Sequence, residues 1–364
     1  MRIGFDITQA AKSRGRGIAR YIRDLLPELE RVSQRAPDSG AVLDLNPTLY
    51  FRGSRWLNRG LVRDLMPSAP RRPLWWGPSA KLDLFHSFGN HLPAQSAVPL
   101  SFTAMDFRLA DMTPNYDLLG SRLGQNISRA DGVICISQYT AQRLRHYFPD
   151  FPEERVAVTP LGVDHRRFCP QDGASVAAVR AKHGLARPYA LQIGSWFPHK
   201  NLELSIRAFA ASQARAEGCE LVFVGGGATA DFLNSLKKLA TSLGLTGIHW
   251  LGHISDDELA PILAGARVFL HPSRYEGFGL PILESMATGT PGVISNSTCL
   301  TEVAGELWQS FDVDDEIGFA SGLDHLFFDD SAHQIASETG LAHASAFTWR
   351  QTADLTASFF KQFL

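Results

Sequence analysis

Two carboxylates, Glu276 and Glu284, stand eight positions apart in the stretch SRYEGFGLPILESMATGTP, residues 273–291. Between them lie Gly277, Phe278, Gly279, Leu280 and Pro281, followed by the rest of an apolar run. Glycine lets a loop backbone approach a ligand closely. The N–H groups of such a loop can hold an anion, while carboxylates accept hydrogen bonds from hydroxyls. An anion with several hydroxyls describes a sugar phosphate. Pro281 suits the first position of a helix, whose Ile282, Leu283 and Met286 would face the core and whose first turn would carry Glu284. Complementing the helix dipole accounts for one first-turn glutamate, but not for Glu276 in the loop before it.

A second stretch, LQIGSWFPHKNLELSIRAF (191–209), reads as strand, tight loop and helix. Gly194 ends the strand, Pro198 directs the turn and Asn201 is placed to cap the helix. Lys200 then projects near a helix N-terminus, which already favours an anion. Phosphate is the obvious guest, with His199 beside it; an ordinary surface lysine is the competing reading. FVGGGATADFLNSL (223–236) is a glycine-rich turn containing Gly225, but Thr229 breaks the dinucleotide fingerprint. SRGRGIARYIRDLL (13–26) puts Gly15 and Gly17 between a strand and a helix, where close backbone approach and plain turn chemistry both fit.

These groups need elements to hold them. Short β-rich runs alternate with helical patterns along the chain, which implies βαβ units and parallel sheets. RIGFDIT precedes a helix with Ile18, Tyr21, Ile22, Leu25, Leu26 and Leu29 on one face. DLFHSF, PLSFTAM, GVICIS and RVAVTPL complete a first set of strands; YALQIGS, ELVFVGGG, GIHWLG, ARVFLHP and PGVIS form a second. The polar stretch 162–175 separates the sets. This predicts two doubly wound α/β domains, residues 1–168 and 169–348, with ligands outside the carboxyl ends of the strands and a cleft where the domains face. FTWRQTADLTASFFKQFL reads as an amphipathic helix, with 349–364 returning to the first domain.

Composition narrows the function classes. Hydrophobic residues make up 45% and charged residues 20%, which supports sizeable cores. A net charge of −2 argues against nucleic acid as partner. Cys135, Cys169, Cys219 and Cys299 are scattered, which fits a reducing, cytoplasmic compartment and no cysteine-only zinc site. No signal peptide and no membrane span are expected. Residues 52–77 hold six arginines, one acid and three tryptophans. That composition suits the anionic inner face of a cytoplasmic membrane; a solvated loop with its tryptophans tucked into the core fits it too.

The combined motifs resemble the retaining family 4 glycosyltransferases, which have the GT-B fold, and within them bacterial mannosyltransferases of surface polysaccharide assembly. The likeness runs through GRGIARYIRDLL, DLFHSFGNHLP, ADGVICISQYTAQRL, VTPLGVD, IGSWFPHKNLELSIRAF, LGHISDDELAPILAGARVFLHPSRYEGFGLPILESMATGTP, LTEVAG and the tryptophan of FTW. It implies that Glu284 binds the ribose hydroxyls of a nucleotide sugar and Glu276 the hydroxyls of the transferred sugar. The backbone of Phe278, Gly279 and Leu280 would lie by sugar and diphosphate, with Gly277 in the same loop. Lys200 would bind the diphosphate, Gly17 would admit the phosphates, and Gly194, Ser195, His199 and Gly225 would complete the donor side. Glu276, Lys200 and Asp106 are the catalytic candidates; His86, Met105 and Asp106 are the acceptor-side candidates. Two departures stand out: His199 where many relatives have arginine, and Met105 where many have a histidine before Asp106.

The expected activity is transfer of a sugar, mannose from GDP-mannose being the leading choice, to a saccharide or lipid-linked saccharide, without a required metal or other cofactor. A nucleotide-sugar-binding protein with little catalysis is the alternative that Met105 motivates. A Rossmann oxidoreductase is a third, opposed by the broken glycine fingerprint.

Overall fold

A parallel strand is covered on both faces, so its sequence is apolar nearly throughout instead of alternating. The computed structural model, which describes residues 1–11, 17–34, 44–75, 77–89 and 91–364, builds two sheets from such strands. The first contains β1 (Arg2–Asp6), β2 (Asn46–Phe51), β3 (Arg71–Pro73), β4 (Leu84–Ser87), β5 (Leu100–Ala104), β6 (Gly132–Cys135) and β7 (Val156–Val158). The second contains β8 (Tyr189–Ser195), β9 (Glu220–Gly226), β10 (Ile248–Gly252), β11 (Val268–His271), β12 (Gly292–Ser295) and β13 (Gln309–Phe311). Their orders are β3-β2-β1-β4-β5-β6-β7 and β10-β9-β8-β11-β12-β13, and every pairing is parallel. The strands named from the sequence all form. β2, β3 and β13 were not among them.

The chain divides into two compact units, Met1–Gly162 with Thr348–Leu364, and Val163–Phe347. The division falls at Gly162/Val163 instead of after residue 168, because Val163 already bonds within the second unit, its N–H donating to the Phe347 carbonyl at 3.1 Å. The helix Ile18–Ser33 buries Tyr21, Ile22, Leu25, Leu26 and Leu29, the face read from its period. The C-terminal helix Trp349–Lys361 packs along it within the first unit. Phe360 stacks obliquely against Phe5 at 5.8 Å, and Thr352 Oγ1 donates to the Pro160 carbonyl at 2.7 Å.

Residues 52–77 are not a plain loop. Gly53–Val62 forms a 3₁₀ helix and β3 follows it. Arg71 is spent on the carbonyls of Val62, Arg63, Leu65 and Ala69, and Arg52 on Asp6. Trp75 is 63% exposed and Leu57 75%, so the reading that tucks the tryptophans into the core fails at Trp75. Trp76, the side chain of Trp56 and the expected Gly15 lie outside the described residues. Among the described residues no helix is long and apolar enough to cross a membrane.

In both sheets the strand order reverses beside the first strand of the set, between β1 and β4 and between β8 and β11. Such switch points open a crevice beyond the carboxyl ends of two neighbouring strands. Asp6 and Ser87 end one pair; Ser195 and His271 end the other.

His86, an acceptor-side candidate, is corrected here. It lies inside β4 with no exposed surface. Its Nδ1 and Nε2 are both taken by β5 hydroxyls, Ser101 Oγ at 2.9 Å and Thr103 Oγ1 at 3.1 Å, and Phe88 and Phe360 flank its ring. It is a core residue. Burial pushes its pKa down to about 3, whereas in the unfolded chain it titrates near the ordinary value of about 6.5. Below about pH 6.5 the unfolded state therefore takes up a proton that the native state refuses. The stability present above that pH is lost as pH falls, by roughly 1.4 kcal/mol per pH unit from this group. In urea unfolding between pH 6.5 and 4.5 the wild type should lose stability more steeply than His86→Gln by about this amount; equal slopes would contradict the assignment.

Candidate functional site

The second unit brings two loops together because β8 and β11 are sheet neighbours. After β8 the chain makes the turn Pro198–Lys200 and enters the helix Leu202–Ala211. Gln192 Nε2 donates to the Lys200 carbonyl at 2.8 Å and pins the turn. Asn201 occupies the cap position in a left-handed conformation, φ 53°, but its side chain does not cap. Its Nδ2 donates instead to the Val313 carbonyl at 2.8 Å. The Arg274 N–H donates to the His199 carbonyl at 2.8 Å and ties the β8 loop to the β11 loop. His199 is half-buried, its ring stacked on the exposed Phe197 at 6.0 Å. Gly194 and Ser195 are half-buried at the end of β8. Gly225 has a structural cause: a Cβ there would lie 1.6 Å from the Gly194 carbonyl oxygen, so close approach of β9 to β8 demands glycine without any ligand.

After β11 the loop carries Ser273, Glu276, Gly277 and Phe278 into the helix Leu280–Ala287. Gly279 caps that helix at φ 101°, a left-handed value open to glycine. The helix begins at Leu280, so Pro281 is its second residue and Glu284 its fifth, beyond the expected first turn. Glu284 is 2% exposed, which removes surface dipole complementation as its explanation. Ile282, Leu283 and Met286 are fully buried, as their spacing predicts. Phe278 is buried and meets Phe347 edge-on at 6.5 Å.

Glu276 is the electrostatic centre. Its Oε1 accepts from Lys200 Nζ at 2.5 Å, from His271 Nε2 at 2.9 Å and from Ser273 Oγ at 2.9 Å. The Thr298–Cys299 turn clamps its backbone: the Glu276 N–H donates to Thr298 Oγ1 and Cys299 Sγ donates to the Glu276 carbonyl, each at 3.3 Å. Burial by itself would push the carboxyl pKa up. The Lys200 ammonium, then the His271 hydrogen bond and charge, outweigh burial and hold it well below the usual carboxylate range. A carboxylate beside an ammonium on a flexible stem, at the carboxyl ends of two strands, can bind hydroxyls and a phosphate at once. His271 and Ser273 were missed in the sequence. Ser273 begins the opening stretch, but a histidine at the end of an apolar strand reads as core.

The first unit holds the other candidates. Gly17 precedes the helix Ile18–Ser33 with φ 73°, and a Cβ there would meet nothing within 4 Å. Met105 and Asp106, both half-buried, follow β5 directly. Asp106 Oδ1 accepts from the Arg108 N–H at 3.0 Å. The sequence did not reveal a cavity of about 260 Å³ at the ends of β1, β2 and β4, lined by Asp6, Thr8, Arg52, Ser87, Phe88 and His91 among others. There Arg52 Nε donates to Asp6 Oδ2 at 2.6 Å, and Thr8 Oγ1 to Asp6 Oδ1 at 2.5 Å. Among the described residues no group of three or more His, Cys, Asp or Glu could hold a metal ion.

Comparison with known proteins places these loops in context. Residues 15–167 match the profile of Glycosyltransferase Family 4, and residues 177–341 that of Glycosyl transferases group 1. The chain is 30% identical over 299 residues to O-antigen chain mannosyltransferase B of Escherichia coli, covering 80% of this chain and 77% of that one. It is 34% identical over 176 residues to a GDP-mannose-dependent alpha-(1-6)-phosphatidylinositol monomannoside mannosyltransferase of Mycobacterium tuberculosis, covering 46% and 44% of the two chains. Anabaena HepE, solved in complex with UDP and glucose, superposes over the full length of both chains with a TM-score of 0.76 at 17% identity.

The Lys200–Glu276 pair generates a stability prediction. The pair is part-buried and Glu276 keeps His271 and Ser273, so removing one partner costs on the order of 1–2 kcal/mol, less than for a fully buried pair. Lys200→Met and Glu276→Gln should each destabilise the chain, while the double variant loses much less than the sum. A double-mutant cycle by urea unfolding reads this coupling, and additive losses would show that the two groups are independent.

Proposed function

Because this chain belongs to the family 4 glycosyltransferases, with the GT-B fold of their solved relatives, we propose that it transfers mannose from GDP-mannose, with retained anomeric configuration, to a saccharide or lipid-linked saccharide in polysaccharide assembly. The observation that carries the proposal is the Lys200–Glu276 pair beyond β8 and β11. The donor diphosphate gains charge as the glycosidic bond breaks, and an ammonium held close to it stabilises the transition state more than the ground state. Lys200 serves that role, released from Glu276 when the diphosphate arrives. Glu276 then orients the mannosyl hydroxyls, and Glu284 the ribose. The loop from Gly277 to Leu280 presents backbone along sugar and diphosphate, with Gly194, Ser195 and His199 at and beyond the end of neighbouring β8. No metal enters this scheme.

The choice of mannose rests on the two mannosyltransferase relatives, one of them GDP-mannose-dependent by name. The HepE likeness supports only the fold, since its identity is too low to carry a donor. The acceptor belongs with the first unit: the cavity beside Asp6, Thr8 and Ser87 offers donors and acceptors suited to saccharide hydroxyls, and Asp106 lies at the end of β5. Arg63, Arg72, Leu57 and Trp75 are all exposed. Basic and aromatic side chains together suit an anionic lipid surface, which fits a lipid-linked acceptor handled at the cytoplasmic face.

Two measurements test these proposals. A panel of nucleotide sugars, followed by calorimetry and slow hydrolysis, should single out GDP-mannose, and Lys200→Ala should lower turnover by about 100-fold, or ~3 kcal/mol of transition-state stabilisation. Hydrolysis of a different donor would overturn the mannose choice, undiminished Lys200→Ala turnover the phosphate role, and binding without turnover the enzymatic reading. Separately, sedimentation with vesicles containing phosphatidylglycerol should retain the wild type and release Leu57→Ser/Trp75→Ser; equal behaviour with phosphatidylcholine vesicles would remove the membrane contact.

A further inference from the structure

Three donors converge on one oxygen of Glu276: Lys200 Nζ, His271 Nε2 and Ser273 Oγ. A carboxylate oxygen offers about two lone-pair directions, so the three cannot all be held at full strength. One partner is free to leave, and the side chains differ in which can. Lys200 is a compact charge on a flexible stem. His271 has no such freedom. It ends β11 with 1% exposure, its ring stacked on Phe269 at 5.7 Å and 20°, and Ser273 Oγ crowds Nε2 at 3.5 Å.

The other face of the ring is equally informative. His271 Nδ1 is buried and has no hydrogen-bond partner among the described residues. A histidine kept for packing would have both nitrogens satisfied or would be replaced by an apolar residue, like Ile294 beside it on β12. One nitrogen is left without a partner while the other faces Glu276, so the ring is retained for that contact.

We infer that His271 is a positioning residue: it holds the Glu276 carboxylate in its sugar-orienting place once Lys200 has swung to the donor diphosphate. This rests on the functional reading above, in which Lys200 serves phosphate and Glu276 serves the sugar. While the site is empty Lys200 and His271 share Glu276. With donor bound, His271 and Ser273 keep it. Losing His271 therefore affects the transfer step and leaves capture of the nucleoside diphosphate nearly unchanged.

The experiment compares wild type, His271→Leu and His271→Gln for turnover with the nucleotide sugar found for the wild type, and for calorimetric binding of GDP, which carries no sugar. Leucine keeps bulk without a donor, while glutamine carries an N–H to about the reach of Nε2. The expected result is kcat lowered 10- to 100-fold in His271→Leu with GDP affinity within about threefold, and most of that kcat recovered in His271→Gln. Should the leucine variant fail to fold, His271→Asn, whose amide is too short to reach Glu276, takes its place. Wild-type kcat in the donor-less variant, equal losses in the leucine and glutamine variants, or a loss confined to KM would each overturn the inference alone. A wild type that neither binds GDP nor turns over any nucleotide sugar overturns the functional reading, and this inference with it.

Discussion

Keeping one carboxylate ionised inside the protein is the constraint on which the second unit's site depends. Burial opposes the charge of Glu276, and only a nearby cation and hydrogen-bond donors can outweigh it. None of those partners comes from Glu276's own loop except Ser273. Lys200 arrives from the loop after β8 and His271 from the end of β11. The charge is therefore affordable only because the sheet places β8 beside β11, and the Arg274–His199 backbone bond holds the two loops in register. Topology is here a precondition of the electrostatics.

Two residues near this site have structural causes of their own. Gly225 is glycine because β9 approaches the Gly194 carbonyl too closely for a Cβ. Asn201 adopts a left-handed cap and spends its amide on Val313 instead of on the helix. Glu284 is buried as well, in the second turn of the helix Leu280–Ala287.

The strands were legible because parallel strands buried on both faces leave continuous apolar runs, as in Tyr189–Ser195 or Val268–His271. β2, with Pro47 and half-buried residues at its start, and the three-residue β3 and β13 carry too little of that signal. That Lys200 and Glu276 sit in loops at the carboxyl ends of strands was legible, because the strand–loop–helix pattern around each is local. The sharing of one carboxylate oxygen by three donors was not legible. It depends on which strands become neighbours, a relation between residues 200, 271 and 276 that no local spacing contains. The first unit's cavity was hidden for the same reason, since Asp6, Arg52 and Ser87 come from three separate strand ends.

Two histidines show how far sequence alone reaches. His86 stands in LFHS and His271 in VFLH, each in an apolar parallel strand, each without appreciable exposure. Sequence logic assigns both the same character, and the first was named a functional candidate only because Met105 stands where many relatives have a histidine. What separates them is the next strand. Beside His86, β5 offers two hydroxyls spaced to take both ring nitrogens, and the ring becomes a neutral core element. Beside His271, neighbouring β12 offers Ile294 and no hydroxyl at that register, so one nitrogen goes unpaired and the other turns to the carboxylate five residues on. A buried histidine's role is set by how many hydrogen-bond partners its neighbours leave it. The histidine whose neighbours leave one nitrogen unsatisfied is the one whose contact with an ionised group needs a functional explanation.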